Sequence, residues 1–123
     1  MNIIRRQIKE YIRVIDDNQD EVFRARITFP ASFTGFAGHF PDNPVLPGVC
    51  MVQAVLVMAG LGGRNPILKR IIQAKYFQPV FPGEEITLDY RETKNNGTSE
   101  LRAGITRGDK KIARIRLEVE YRE

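Results

Sequence analysis

The chain has one cysteine, one histidine and no apolar run longer than thirteen residues. Each shortage excludes something. A lone cysteine cannot close an internal disulfide, which fits a reducing compartment and so a cytoplasmic protein. A membrane-crossing helix needs about 18 or more apolar residues, and the run from Val49 to Leu61, broken only by Gln53 and Gly60, falls short of that. The N-terminal region has no apolar core of signal-peptide length. No metal-ligand cluster, glycine-rich phosphate loop or nucleotide signature is present, so neither a metal nor a cofactor is expected. No basic stripe interleaved with aromatics marks a nucleic-acid surface. Internal repeats and low-complexity segments are absent as well.

What remains is an ordinary soluble composition, 42% hydrophobic and 28% charged over 123 residues, with the length of a single domain spanning 1–123. Nineteen lysines and arginines against fifteen acidic residues give a net charge of +4. That balance either attracts an acidic partner or is a solvated basic surface.

The stretch from Gly38 to Gln53 organises the chain. It holds the only histidine, His39, then Pro41, Pro44 and Pro47, and then the entry to the apolar run. The run reads as a helix from about Gly48 to Leu61, apolar all round and therefore buried all round. Pro47 suits its first turn, and Gly60, Gly62 and Gly63 can end it. A proline-restricted loop thus delivers a histidine beside a helix N-terminus.

Elsewhere the pattern is mostly extended. Residues 2–15 are ambiguous between periods, and a helix near 2–8 followed by a strand near 9–16 fits them best. Residues 16–20 form a turn by composition. Val22 to Phe29 alternates, with Phe23, Ala25, Ile27 and Phe29 on one face. From Pro30 to Pro47 no periodicity survives. Strands are expected at Ile67–Phe77, Glu85–Arg91, Ser99–Arg107 and Lys111–Tyr121. Asn96-Gly97 and Gly108-Asp109 serve as the two tight turns of an antiparallel meander. The inward sets are Ile86, Leu88 and Tyr90; Leu101, Ala103 and Ile105; and Ile115, Leu117, Val119 and Tyr121. Several strands and one fully apolar helix imply an α+β domain whose antiparallel sheet curls around that helix, leaving an open edge strand that invites pairing.

His39-Phe40-Pro41, Pro44 and Pro47-Gly48-Val49 follow the pattern His-Phe-Pro-x-x-Pro-x-x-Pro-Gly-Val. This resembles the signature of the hotdog-fold β-hydroxyacyl-ACP dehydratases of the FabA/FabZ type. The segment Phe77 to Glu84 resembles that family's Phe-x-x-Pro-Val-x-Pro-Gly-Asp, and the likeness runs from about Val22 to Tyr121. The resemblance implies a hotdog fold and a homodimer or higher dimer multiple, with each site shared between subunits. It also implies 3-hydroxyacyl thioesters of acyl carrier protein or CoA as substrates, in fatty-acid or related acyl-chain biosynthesis. It carries a catalytic role to His39 and thioester-carbonyl binding to the Gly48 amide, with Phe40 and Val49 as further substrate contacts. Fourteen residues after the histidine the family has a catalytic Glu or Asp; this chain has Gln53.

The residues themselves suit that chemistry in part. An unperturbed imidazole titrates near ~6.5, so His39 can act as a base; otherwise it braces the loop. Gly48 combines free first-turn amides with room for close approach, or merely starts the helix. Gln53 can hold a water or a hydroxyl but does not ionise, and general acid–base help is worth about 10²–10⁴-fold. Protonated His39 returning the proton, or Asp42, would replace it; alternatively Gln53 is a buried amide satisfied by backbone carbonyls. Cys50 reads as core. Phe33, Phe36, Phe40, Phe77 and Phe81 line an acyl tunnel or pack. Three functions stay open: a dehydratase, a non-catalytic acyl-thioester-binding subunit, and a hotdog thioesterase.

Overall fold

In the computed structural model, residues 3–16, 21–37 and 43–122 are described. Helix α1 (Ile3–Tyr11) puts Ile4, Ile8 and Tyr11 on one face. Ile8 is fully buried, and the Tyr11 ring lies edge-on to Phe29 and Phe33 at centroid distances of 6.0 and 5.9 Å. That contact holds Tyr11 on the helical face. The helix therefore runs to residue 11, and strand β1 (Ile12–Asp16) begins three residues later than the apolar pattern suggests.

β1 pairs antiparallel with β2 (Phe23–Thr28). Ala25, Ile27 and Phe29 are buried as the alternation requires, while Phe23 is half-buried and stacks on Tyr90 at 5.0 Å. Among its described residues, the aperiodic stretch that follows contains one short 3-10 turn, Thr34–Phe36. The turn expected at 16–20, past Asp16, and the loop residues Gly38 to Asp42 lie outside the described residues.

Helix α2 (Gly48–Ala59) is the apolar run, two residues shorter than expected. Gly60 already leaves it, and the Leu61 N–H bonds to Met58 in a tightened last turn. Past Gly48, the helix is buried except for a stripe of Val49, Gln53 and Val57, spaced i, i+4, i+8.

β3 (Asn65–Tyr76), β4 (Glu85–Asn95), β5 (Thr98–Arg107) and β6 (Lys110–Arg122) complete the chain. β4 outlasts its expected end at Arg91 because the hairpin stays paired up to Asn95 and Thr98. Asn96 (φ 44°) and Gly97 (φ 87°) both take the positive dihedrals of the two-residue turn that matches strand twist. The six strands lie in the order β1-β2-β4-β5-β6-β3, every pair antiparallel. The expected inward residues of β4, β5 and β6 are buried. Tyr121 is the exception: it is half-buried, with the Arg64 guanidinium 3.4 Å above its ring centre. One residue breaks the alternation. Ile105 pairs with Ala113 and Thr106 with Lys111, which makes Ile112 the extra residue of a bulge. Ile112 is fully buried and its carbonyl accepts the Phe77 N–H at 2.8 Å.

A curved antiparallel sheet packed on one buried helix is the hotdog arrangement. Among the described residues no helix is long and apolar enough to cross a membrane.

Candidate functional site

Pro47 precedes α2 in extended conformation (φ −63°, ψ 144°) and gives no side-chain cap. It is the N-cap rather than part of the first turn, because the helix begins at Gly48. The Cys50 N–H returns to the Pro47 carbonyl at 2.9 Å, while the amides of Gly48 and Val49 have no backbone acceptor among the described residues.

Two anchors hold this turn. The Leu46 N–H donates to the carbonyl of fully buried Val80 at 2.8 Å, tying the loop of the first motif to the centre of the second. The second motif is itself braced. The Gly83 N–H reaches the Phe29 carbonyl at 2.9 Å, and Glu84 Oε1 accepts from the Phe81 N–H (2.8 Å) and from Arg107 (3.0 Å). Arg107 also donates to the Pro79 carbonyl at 2.8 Å. The other anchor is Tyr76 at the end of β3, whose hydroxyl donates to the Gly48 carbonyl at 3.0 Å.

A hollow opens on each side of the helix start. One, of about 370 Å³, is lined by Ile4, Thr34, Gly35, Pro47, Val49, Cys50 and Gln53. The other, also about 370 Å³, is lined by Leu46, Gly48, Met51, Tyr76 and Phe77 among others. Gly48, Val49 and Gln53 are thus brought together along one end and one stripe of α2. His39, Phe40 and Asp42 lie outside the described residues.

Among the described residues no backbone carbonyl accepts from the Gln53 amide. Arg5 of α1 donates its Nε to Gln53 Oε1. Arg5 takes one lone pair of the oxygen and so orients the amide, whose NH2 supplies the side chain's donors. α1 holds the opposite wall too, because Gln7 Oε1 accepts the Thr34 N–H at 3.1 Å. Burial pushes the Cys50 thiol up from its ordinary value, which keeps it protonated and fits the core reading. Phe33 and Phe36 are core as well, in a chain of ring contacts with Phe29 at 4.9 and 5.7 Å. Phe77 is half exposed at the second hollow.

Sequence reasoning missed Arg5 and Tyr76. Nothing in the local pattern marks Arg5. Tyr76 had a signal: three positions before Pro79, it is the aromatic that satisfies the spacing Phe-x-x-Pro, which Phe77 does not.

Comparison with known proteins bears on the fold and the family. Over 109 residues the chain is 28% identical to the 3-hydroxyacyl-(acyl-carrier-protein) dehydratase FabZ of Clostridium tetani, covering 82% of this chain and 75% of the relative. It is 34% identical over 110 residues to the FabZ of Granulibacter bethesdensis, covering 81% of this chain but 65% of that relative's length. Its structure is similar to that of the dehydratase heterocomplex ApeI:P from Xenorhabdus doucetiae, with a TM-score of 0.70 at 19% identity, over 89% of this chain and 97% of that one. At that identity the structural likeness speaks for the hotdog fold alone. The sequence profile described as ApeI dehydratase matches residues 15–116, and by that match the chain belongs to the ApeI-like dehydratase family.

Proposed function

We infer that the chain binds 3-hydroxyacyl thioesters at the start of α2 and removes water from them as a hydro-lyase. The observation that carries this reading is the pair of first-turn amides, Gly48 and Val49, lying between two hollows with the Gln53 stripe alongside. Helix N-termini favour developing negative charge, and an amide aimed at an enolate oxygen is worth roughly 3–4 kcal/mol. Neutral His39 takes the proton next to the thioester carbonyl, whose oxygen the Gly48 amide holds. The Gln53 NH2 holds the 3-hydroxyl, and the proton now on His39 leaves with that hydroxyl as water. Phe40 and Val49 contact the acyl chain. The FabZ relatives are named for acyl-carrier-protein substrates, and the net charge of +4 would suit an acidic carrier; CoA thioesters share the same reacting group.

The working unit in this reading is a single-domain homodimer in the cytoplasm. What supports the dimer is the open edge of β3, where Ile71, Tyr76 and Phe77 are about half exposed, beside an α2 whose Val49 is 63% exposed. Light scattering of the purified chain should give twice the 123-residue mass. The activity is tested by hydration of a crotonyl thioester, followed as loss of ultraviolet absorbance; His39→Ala should abolish it.

A second reading is favoured by Arg5. With Gln53 held by a guanidinium, the position has no titratable group, which suits a subunit that binds acyl thioesters without turning them over. Tight binding with no hydration by wild type would select it.

A further inference from the structure

Tyr76 touches the first peptide of α2 in two ways. Its hydroxyl donates to the Gly48 carbonyl at 3.0 Å, and a Cβ on Gly48 would lie 2.5 Å from Tyr76 Cζ. The ring therefore excludes a side chain at position 48, which keeps the neighbouring amides uncovered. The hydroxyl does something different. The Gly48 carbonyl and the Val49 N–H belong to one planar peptide, and the carbonyl of a helix's first residue already accepts the amide four residues on. A further donor on that oxygen draws electron density toward it and makes the N–H at the other end a stronger donor. Such cooperative strengthening amounts to about 10–30% per bond.

We propose that Tyr76 is a positioning residue that sets the donor strength of the Val49 amide toward the bound thioester carbonyl, acting through the Gly48–Val49 peptide. This rests on the reading above, in which that carbonyl docks on the first turn of α2. It extends the site by one donor, Val49 N–H beside Gly48 N–H, and gives a reason for a tyrosine rather than any other ring at 76.

The rival account makes Tyr76 a strap pinning helix to sheet, and a spectroscopic readout separates the two without needing turnover. Crotonyl-pantetheine carrying 13C at the thioester carbon is bound to wild type, to Tyr76→Phe, and to protein with 3-fluorotyrosine at 76, a stronger hydrogen-bond donor of nearly the same shape. Isotope-edited infrared difference spectra then report the carbonyl. The expected result is a red-shifted band in wild type, a red shift smaller by about 10–30% in Tyr76→Phe, and a larger one with 3-fluorotyrosine. An identical band in all three proteins overturns the role of Tyr76 and leaves the site intact. A wild-type protein that binds no crotonyl-pantetheine overturns the docking site, and the role of Tyr76 with it.

Discussion

Arg5 and Gln53, 48 positions apart, meet through a hydrogen bond from guanidinium to amide oxygen. The first helix thereby fixes which end of the amide faces the ligand. It also changes what a carboxylate would do there. A glutamate at 53 would face the guanidinium and be held ionised, and an ionised carboxylate has no proton to give. Gln53→Glu alone is therefore expected to change dehydration of a 3-hydroxybutyryl thioester, which needs that proton, by less than about tenfold. In an Arg5→Met background the same substitution should raise it by about one to two decades. Equal gains in both backgrounds would show that Arg5 does not control the group.

Gly48→Ala drives a methyl group into the Tyr76 ring, which must swing away and lose its bond to the Gly48 carbonyl. The cost should be about 1–3 kcal/mol in urea unfolding. In a Tyr76→Phe background about 0.5–1.5 kcal/mol of that cost is already spent, so the two substitutions should be less than additive by that amount. Additive effects would mean that Gly48→Ala leaves the Tyr76 hydroxyl on its carbonyl.

Glu84 lines neither hollow, yet it should matter to both. Its Oε1 accepts from the Phe81 N–H and from Arg107, and that brace holds Val80, on which the Leu46 N–H rests. Glu84→Ala should cost about 1–3 kcal/mol of stability and weaken crotonyl-pantetheine binding measured by calorimetry. Lost stability with unchanged affinity would uncouple the brace from the site.

On the outer face of the sheet, Arg116 and Arg102 both donate to Glu100 Oε2, at 2.8 and 2.7 Å, and hold its carboxyl down at about 2. The folded value lies below the ordinary 4.5, so the stabilisation is present above that pH and is lost as pH falls toward about 2. The difference in unfolding free energy between wild type and Glu100→Gln should be constant from pH 7 to about pH 5 and shrink below it. A gap that ignores pH would assign the effect to packing.

Much of this was legible beforehand because burial has a period. Ile86, Leu88 and Tyr90, or Leu101, Ala103 and Ile105, announce a strand with one wet face whatever the rest of the chain does. Asn96-Gly97 announces its own turn. Ile112 was not legible, because a bulge obeys no period and is visible only in how β5 and β6 pair. The end of α1 was decided by two rings, Phe29 and Phe33, far along the chain from Tyr11. The site divides in the same way. Gly48 and Gln53 lie on a helix whose start the prolines mark, whereas Arg5 and Tyr76 reach it only through tertiary contacts.

The place of β3 at the end of the sheet bears on how the site comes apart. Within the chain β3 pairs with β6 alone, and its rungs close loops of modestly different length, shortest from Tyr76 to Ala113 and longest from Asn65 to Arg122. With the β4–β5–β6 hairpins formed locally, closure entropy favours zipping from the Tyr76 end outward. Register shifts near Leu68 and Ile71 weaken the far half of the ladder further. Closure entropy therefore favours the Tyr76 rung as the last to release. The strand can breathe over most of its length while the hydroxyl stays on the Gly48 carbonyl.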